Sequence, residues 1–115
     1  MNSYRATAQQ RKQQEIAQTD QRWRQAQQVA QQGAAWLREQ YHVQEVILFG
    51  SAVVRDRFHL TSDIDLAVSD LPSEVFFTAV AQLQDLSPAF KVDLVRLDHC
   101  QASLRQVILT EGKPL

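Results

Sequence analysis

The sequence predicts a small α/β (α+β) domain preceded by a long N-terminal helix. Residues 1–41 are rich in glutamine and poor in glycine and proline, whereas the remainder alternates short apolar runs with apolar residues at helical spacing. At 115 residues the chain has room for one domain with a modest core. We therefore expect residues 1–41 to form the helix and residues 42–115 to form the domain.

The helix is predicted from an apolar stripe, because its apolar residues recur at helical intervals. These residues are Ile16, Trp23, Ala26, Ala30 and Leu37. Glutamine favours helices, so we expect a helix from about Arg5 to Tyr41 that Gly33 weakens in its middle. Its N-terminal half has few large apolar groups. It is therefore either a solvated extension or a coiled-coil-like surface for docking or oligomerisation, and Trp23 favours the contact.

Three strands and two further helices are predicted in the domain. The apolar run Val46–Phe49 and the alternating segments Asp63–Val68 and Lys91–Leu97 are typical of strands. Pro72 favours a helix start that Ser87-Pro88 ends, and Gly112 ends a closing helix. We expect a mixed sheet with helices covering one face, and we expect Trp36, Phe76 and Phe77 to lie in the core.

Charge and composition exclude several functions. The net charge is −1 and the pI is about 6.3, which argues against direct nucleic-acid binding. A single cysteine, Cys100, cannot form an internal disulfide, and neither a secretory signal nor a membrane span is evident. We expect a cytoplasmic protein.

Three aspartates and a glycine turn form the candidate site. Asp63 and Asp65 project from the same face of a strand, and Asp93 would join them if its strand lies alongside. Carboxylates suit Mg²⁺, and a third one would allow a two-ion site on which a nucleoside triphosphate completes the shell. The turn Gly50-Ser51 offers N–H groups and a hydroxyl to phosphate oxygens.

The string LFGSAVVRDRFHLTSDIDLAV, followed by KVDLV, resembles the signature of polymerase-β-like nucleotidyltransferases. The resemblance extends over residues 46–115, and within this superfamily the sequence is similar to the minimal nucleotidyltransferase branch. It implies the small nucleotidyltransferase fold, ATP as substrate, Mg²⁺ bound by Asp63, Asp65 and Asp93, and triphosphate bound by Gly50 and Ser51. This branch commonly has an Arg-Gly pair after Gly-Ser. Here Arg55 is followed by Asp56 instead of glycine, and the segment between Gly50 and Asp63 is one residue longer than is common in the branch. Both departures put catalytic turnover in doubt.

The resemblance also implies a partner. Minimal nucleotidyltransferases are often encoded with a HEPN-domain RNase toxin, and some are antitoxins of type VII toxin–antitoxin systems that transfer AMP to a tyrosine of the toxin. We expect such a protein adenylyltransferase here. A non-catalytic antitoxin that binds the toxin sterically and a small-molecule nucleotidyltransferase stay open as alternatives.

The remaining polar residues near the motif are ambiguous. Arg55 and Arg57 follow the turn, so either could bind the triphosphate or be a solvated loop cation; we assign Arg55 to the phosphates. Lys91 shares the face of Asp93 and either neutralises phosphate or pairs with an acid. His59 is interpreted as a loop residue, because metal-assisted attack needs no histidine.

Overall fold

The structure is a computed structural model that describes the backbone of residues 2–115 and the side chains of residues 7–115. Its strands are β1 (Val46–Phe49), β2 (Ile64–Val68), β3 (Val92–Arg96) and β4 (Lys113–Pro114). They form one sheet in the order β3-β2-β1-β4. β1 is antiparallel to β2 and to β4, and β2 is parallel to β3, which confirms the mixed sheet. The sequence did not predict β4, because a two-residue strand that contains a proline leaves no apolar alternation.

Three helices accompany the sheet: α1 (Asn2–Tyr41), α2 (Phe76–Gln84) and α3 (Ala102–Glu111). A 3₁₀ turn, Ser73–Val75, leads into α2, and α3 ends immediately before Gly112 as predicted. In the described part of the chain, no helix combines the length and the apolar character needed to cross a membrane.

One face of the sheet is covered by α1 and α2. Strand residues such as Leu48, Leu66 and Val92 pack there against helix residues such as Leu37 and Leu83. The opposite face carries a smaller cluster, in which Ile108 and Leu104 of α3 pack on Ile47 and Ala67. Asp65 and Asp93 point to this second face by strand alternation and remain partly exposed.

The two halves of α1 differ in burial. Side chains 7–18 are all exposed, and burial begins at Thr19. Ala26, Ala30 and Ala34 are then buried at intervals of one helical turn. Gly33 faces the sheet as well, since a Cβ there would lie 3.3 Å from Leu66 Cδ1. Small residues therefore let the second half of α1 lie close against the sheet.

One prediction about aromatic side chains is wrong. Phe77 is 82% exposed, because the apolar face of α2 runs through Ala79 and Leu83 and Phe77 falls outside it. Trp23, which the sequence suggested as a contact for another molecule, contacts its own domain. Its ring packs against the core of its own domain, and its indole N–H is bonded within the chain.

Candidate active site

Strand register brings the motif residues together at one end of the sheet. Phe49, the last residue of β1, is paired with Asp65 of β2, and Asp65 is paired with Asp93 of β3. The predicted adjacency of the Asp93 strand is therefore confirmed. Gly50 follows Phe49 directly, so the glycine turn and the two carboxylates meet at the same point.

Gly50 is required by both its backbone and its neighbour. Its φ is 77°, in the left-handed region that favours glycine. A Cβ at this position would lie 2.4 Å from Asp65 Oδ2, far inside van der Waals contact. The turn therefore lies directly against the Asp65 carboxylate. A phosphate held by the turn would lie beside a cation held by that carboxylate.

The carboxylate of Asp65 is held among other negative charges. Burial, the charge of Asp93 and the charge of Asp63 raise the pKa of Asp65 to about 6, and a hydrogen bond with the Asp93 side chain adds to this. Lys91 acts in the opposite direction, and its Nζ lies 3.8 Å from Asp93 Oδ1. The predicted pairing of Lys91 with an acid is confirmed, and a role in neutralising phosphate stays a prediction.

The donor chemistry of this cluster fits Mg²⁺. Asp65 and Asp93 offer hard oxygen ligands side by side, and their mutual repulsion is the kind that a bound cation relieves. Asp63, just before β2, is near enough to perturb Asp65 electrostatically. Among the described residues, however, no three acidic, histidine or cysteine side chains are gathered closely enough to hold a metal ion as they stand. The pair fits the ion, and recruitment of Asp63 stays a prediction.

The turn after β1 is a short 3₁₀ helix, Gly50–Ala52, in which Val53 N donates to Gly50 O at 3.3 Å. Ala52 is fully buried beneath α1. Its carbonyl oxygen accepts hydrogen bonds from Trp23 Nε1 at 2.9 Å and from Gln27 Nε2 at 2.7 Å. The turn is therefore fixed at both ends, by Asp65 on one side and by α1 on the other.

The structure does not bring Arg55 to the aspartates. Its guanidinium forms an ion pair with Asp20 of α1. Arg57 instead lines a cleft of about 440 Å³ beside Gly50, whose other walls include Val54, Leu104 and Val107. Arg57 is thus the arginine placed next to the turn, and the assignment of Arg55 to the phosphates stays a prediction.

The segment that leads to the aspartates is anchored by its own contacts. Phe58 is 2% exposed and fastens the loop to the core. His59 N donates to Ser62 Oγ, and Ser62 N donates to His59 O, which closes a turn just before Asp63. His59 is an exposed loop residue, as predicted.

α1 also supports the loop before β3. Arg22 stacks over the Phe90 ring at 4.1 Å and donates to Ala89 O at 2.8 Å. Sequence reasoning missed Asp20, Arg22 and Gln27 as residues that support the site. Their only signal was their spacing around Trp23, which places 20, 23 and 27 on one side of a helix.

Comparison with known families matches residues 31–115 to the family described as "Polymerase beta, Nucleotidyltransferase". The chain belongs to this nucleotidyltransferase family. The match includes β1, the glycine turn and all three aspartates, and it leaves out residues 1–30 of the chain.

Solved structures similar to this nucleotidyltransferase are toxin–antitoxin complexes. A chain of "the toxin-antitoxin with AMP-PNP" is 28% identical at a TM-score of 0.60, over 72% of this chain and 69% of that one. A chain of the MntA-HepT toxin–antitoxin structure is 27% identical at 0.59, over 76% and 69%. A chain of the tri-AMPylated Shewanella oneidensis HEPN toxin in complex with MNT antitoxin is 26% identical at 0.58, over 77% and 70%. Comparison with the curated proteins found no match.

Proposed function

We propose that this nucleotidyltransferase is an antitoxin that uses ATP and Mg²⁺ to transfer AMP to a tyrosine of a HEPN-domain toxin. The observation that carries the proposal is the contact of Gly50 with Asp65, which is paired with Asp93 on the neighbouring strand. It puts a phosphate-binding turn beside carboxylates that suit a metal ion. Within this family, that arrangement supports nucleotidyl transfer.

The choice of ATP and of the acceptor rests on the similar structures. One of them contains AMP-PNP, and another contains a HEPN toxin that is AMPylated and bound to an MNT antitoxin. Both resemble this chain over more than two thirds of its length. The nucleotide, the modification and the kind of partner that we propose here are those of these two structures.

The proposed reaction is a single displacement at the α-phosphorus of ATP. The tyrosine oxygen forms a bond to the α-phosphorus, the bond from that phosphorus to the bridging oxygen of the β-phosphate breaks, and pyrophosphate leaves. The proton of the tyrosine hydroxyl passes to a carboxylate of the Asp65–Asp93 pair, which lies beside the turn. AMP becomes esterified to the tyrosine, and no oxidant or reductant is needed.

Each residue of the site has a proposed task. Gly50 and Ser51 direct N–H groups and a hydroxyl at phosphate oxygens. Asp65 and Asp93, with Asp63, would hold Mg²⁺, which supplies charge neutralisation to the attacked phosphate and the leaving pyrophosphate when bound. Arg57 adds a cation beside the turn. Positioning and electrostatics thus provide the catalysis.

The test combines the protein, ATP labelled on the α-phosphate, Mg²⁺ and the HEPN protein encoded beside it. Label on the HEPN protein should depend on both motif aspartates, so Asp63→Ala and Asp65→Ala should each abolish it. Asp98→Ala is the matched control, because Asp98 is exposed and follows the C-terminal end of β3, whereas Asp93 lies near its N-terminal end. Absence of label with the wild-type protein would overturn the transfer reaction.

The second candidate is an antitoxin that inhibits its toxin by binding alone. The ion pair between Arg55 and Asp20 favours this candidate. The sequence predicts that Arg55 binds the triphosphate, but in the fold its guanidinium is already paired with Asp20. In the same assay, inhibition of the toxin without label and without any effect of Asp65→Ala supports this candidate. Label on a small hydroxyl compound instead of a protein would indicate a small-molecule nucleotidyltransferase.

We propose the exposed half of α1 as the docking or oligomerisation element of the chain, with the division at residue 41 that the sequence suggests. The side chains of residues 7–18 are all exposed, and Ile16, which is 49% exposed, lines a groove between α1 and the loop of Asp56 and Phe58. Ile16→Asp should weaken capture of the HEPN protein or of a second copy, whereas Gln14→Asp should not. Equal capture by the wild type, Ile16→Asp and Gln14→Asp would exclude this half of α1 as the contact.

A further inference from the structure

The glycine turn is supported from behind by three side chains of α1. Trp23 and Gln27 both donate to the carbonyl oxygen of Ala52, and Asp20 pairs with Arg55 three residues further on. Positions 20, 23 and 27 are three and four residues apart, so they project from one side of the helix. We call these three residues the α1 clamp.

The clamp fixes the direction of the Ser51 N–H through a short chain of contacts. Two donors on one carbonyl oxygen occupy both of its lone-pair directions and orient the peptide that joins Ala52 to Val53. The N–H of Val53 in that peptide donates to Gly50 O at 3.3 Å. Because a trans peptide is planar, the Ser51 N–H points away from the Gly50 carbonyl. Holding Ala52 therefore sets where the Ser51 N–H points.

The clamp lies outside the segment that matches the family. That match begins at residue 31, whereas the three side chains are at positions 20, 23 and 27. The loop they hold is the one that departs from the common pattern of the branch, with Arg55-Asp56 in place of an Arg-Gly pair. The part of α1 that the family match does not cover thus supports the loop inside the matched segment.

We infer that Asp20, Trp23 and Gln27 are positioning residues that hold the Gly50–Ala52 turn in the orientation that binds the β- and γ-phosphates of ATP. The inference rests on the proposed function for the role of the turn. The inference predicts a selective loss of affinity. A loosened turn should weaken the binding of ligands that carry the β- and γ-phosphates and should leave the binding of AMP unchanged. The exposed half of α1 continues directly into the clamp, so a partner bound there contacts the same helix that holds the turn.

The test measures dissociation constants of the full chain for AMP-PNP and for AMP, each with Mg²⁺, by calorimetry. Trp23→Phe removes the indole N–H, and Gln27→Met removes the amide at nearly constant volume. Each loses one hydrogen bond to Ala52 O, so we expect AMP-PNP to bind about 3- to 10-fold more weakly to each variant. The double variant should lose more than either, and AMP affinity should stay within about twofold of wild type by the same reasoning.

Two matched controls come from the same helix. Trp36→Phe makes the identical change about 20 Å along α1, where the ring packs against Tyr41. Gln31→Met makes the second change at an exposed position. Both should bind AMP-PNP as the wild type does. Thermal unfolding of all variants separates loss of the folded state from loss of positioning.

The outcomes distinguish this inference from the proposed function. If AMP-PNP affinity falls in Trp23→Phe but not in Trp36→Phe, the clamp positions the turn, even where the wild type transfers no label to a HEPN protein. If the wild type transfers AMP and Trp23→Phe and Gln27→Met bind AMP-PNP unchanged, the inference is overturned and the proposed function stands. An equal loss of AMP and AMP-PNP affinity indicates general destabilisation and also overturns it.

Discussion

The aspartates and the arginines near the glycine turn are placed by different parts of the fold. Asp65 and Asp93 are adjacent because β2 and β3 are paired in parallel register, within a sheet whose other face is the main core. Arg55 and Arg57 lie in a loop without strand pairing, and their directions are set by what the loop touches. Arg55 is turned to Asp20 of α1, and Arg57 lines the cleft beside Gly50.

The difference teaches that the two kinds of residue depend on different stretches of sequence. The strand register is specified locally by apolar alternation, so the carboxylates follow from the motif itself. The direction of Arg55 depends on a helix that begins some fifty residues earlier in the chain, whereas Arg57 borders a cleft that Leu104 and Val107 of α3 also line. Substitutions in the strands should therefore affect chemistry, and substitutions in the loop or α1 should affect binding of the phosphates.

The largest effect is expected at the carboxylates. Asp93→Asn removes a negative charge from the pair and a hard ligand from the proposed metal site. Charge stabilisation of several kcal/mol corresponds to a loss of about 10²- to 10⁴-fold in the transfer rate. Single-turnover transfer of AMP at saturating ATP measures it. Asp98→Asn, at an exposed position after β3, is the control, and a rate for Asp93→Asn within tenfold of wild type would remove Asp93 from the catalytic set.

A smaller loss is expected at the turn that joins the two regions. Gly50→Ala places a side chain at φ 77° and pushes a Cβ against Asp65 Oδ2. The strained backbone alone should cost about 1–2 kcal/mol of unfolding free energy, and the contact with the carboxylate adds to it. Urea unfolding measures the change. Ser51→Ala, which removes only a hydroxyl, should leave stability nearly unchanged, and equal stability of both variants would show that the turn relaxes freely.

The arginines provide a paired test of the loop. If Arg55 acts through its ion pair, Arg55→Gln and Asp20→Asn break the same contact and should raise the KM for ATP by the same factor, about two- to fivefold for a partly buried pair. Arg57→Gln should raise KM at least as much, because Arg57 borders the cleft at Gly50. A much larger effect of Arg55→Gln than of Asp20→Asn would instead support the sequence prediction that Arg55 binds phosphate.

Most of the fold could be predicted because its signals are local. Alternation in β2 and β3 and the positions of Pro72, Ser87-Pro88 and Gly112 predicted the element order up to α3. β4 was missed because two paired residues carry no period. The prediction that Phe77 lies in the core with Phe76 was wrong, because only one side of a helix faces the sheet.

The site divides in the same way. The common face of Asp63 and Asp65 was predicted from strand parity, whereas the position of Asp93 beside them depended on strand adjacency, which the structure confirms. The clamp could not be predicted, because it depends on the distance between α1 and the turn. That distance is set by the packing of Ala26 and Ala30 against the sheet, which no local pattern encodes. Trp23 was therefore interpreted as a contact for another molecule when it serves the turn of its own domain.

The smallest expected effect is a pH dependence that only the carboxylate region should show. The pKa of Asp65 is about 6 in the folded protein, against 3.8 for an aspartate side chain without such neighbours. Between these values the folded state retains a proton that the unfolded chain has released, so rising pH favours unfolding. The stabilisation from this group is fully present below pH 3.8 and is lost as pH rises through about 6. We expect the effect to be on the order of 1 kcal/mol, because the carboxyl is only partly buried and water screens its neighbours.

Asp65→Asn removes this titration, so in EDTA its unfolding free energy relative to wild type should increase between pH 4.5 and pH 7.5. Mg²⁺ requires the ionised carboxylate, and it should therefore stabilise the wild-type protein more at pH 7.5 than at pH 5. Arg55→Gln should follow the wild-type pH profile, since its guanidinium pairs with Asp20 and not with the carboxylate pair. A profile for Asp65→Asn parallel to that of the wild type would contradict the charge crowding at Asp65, and with it the reason that this end of the sheet suits a cation.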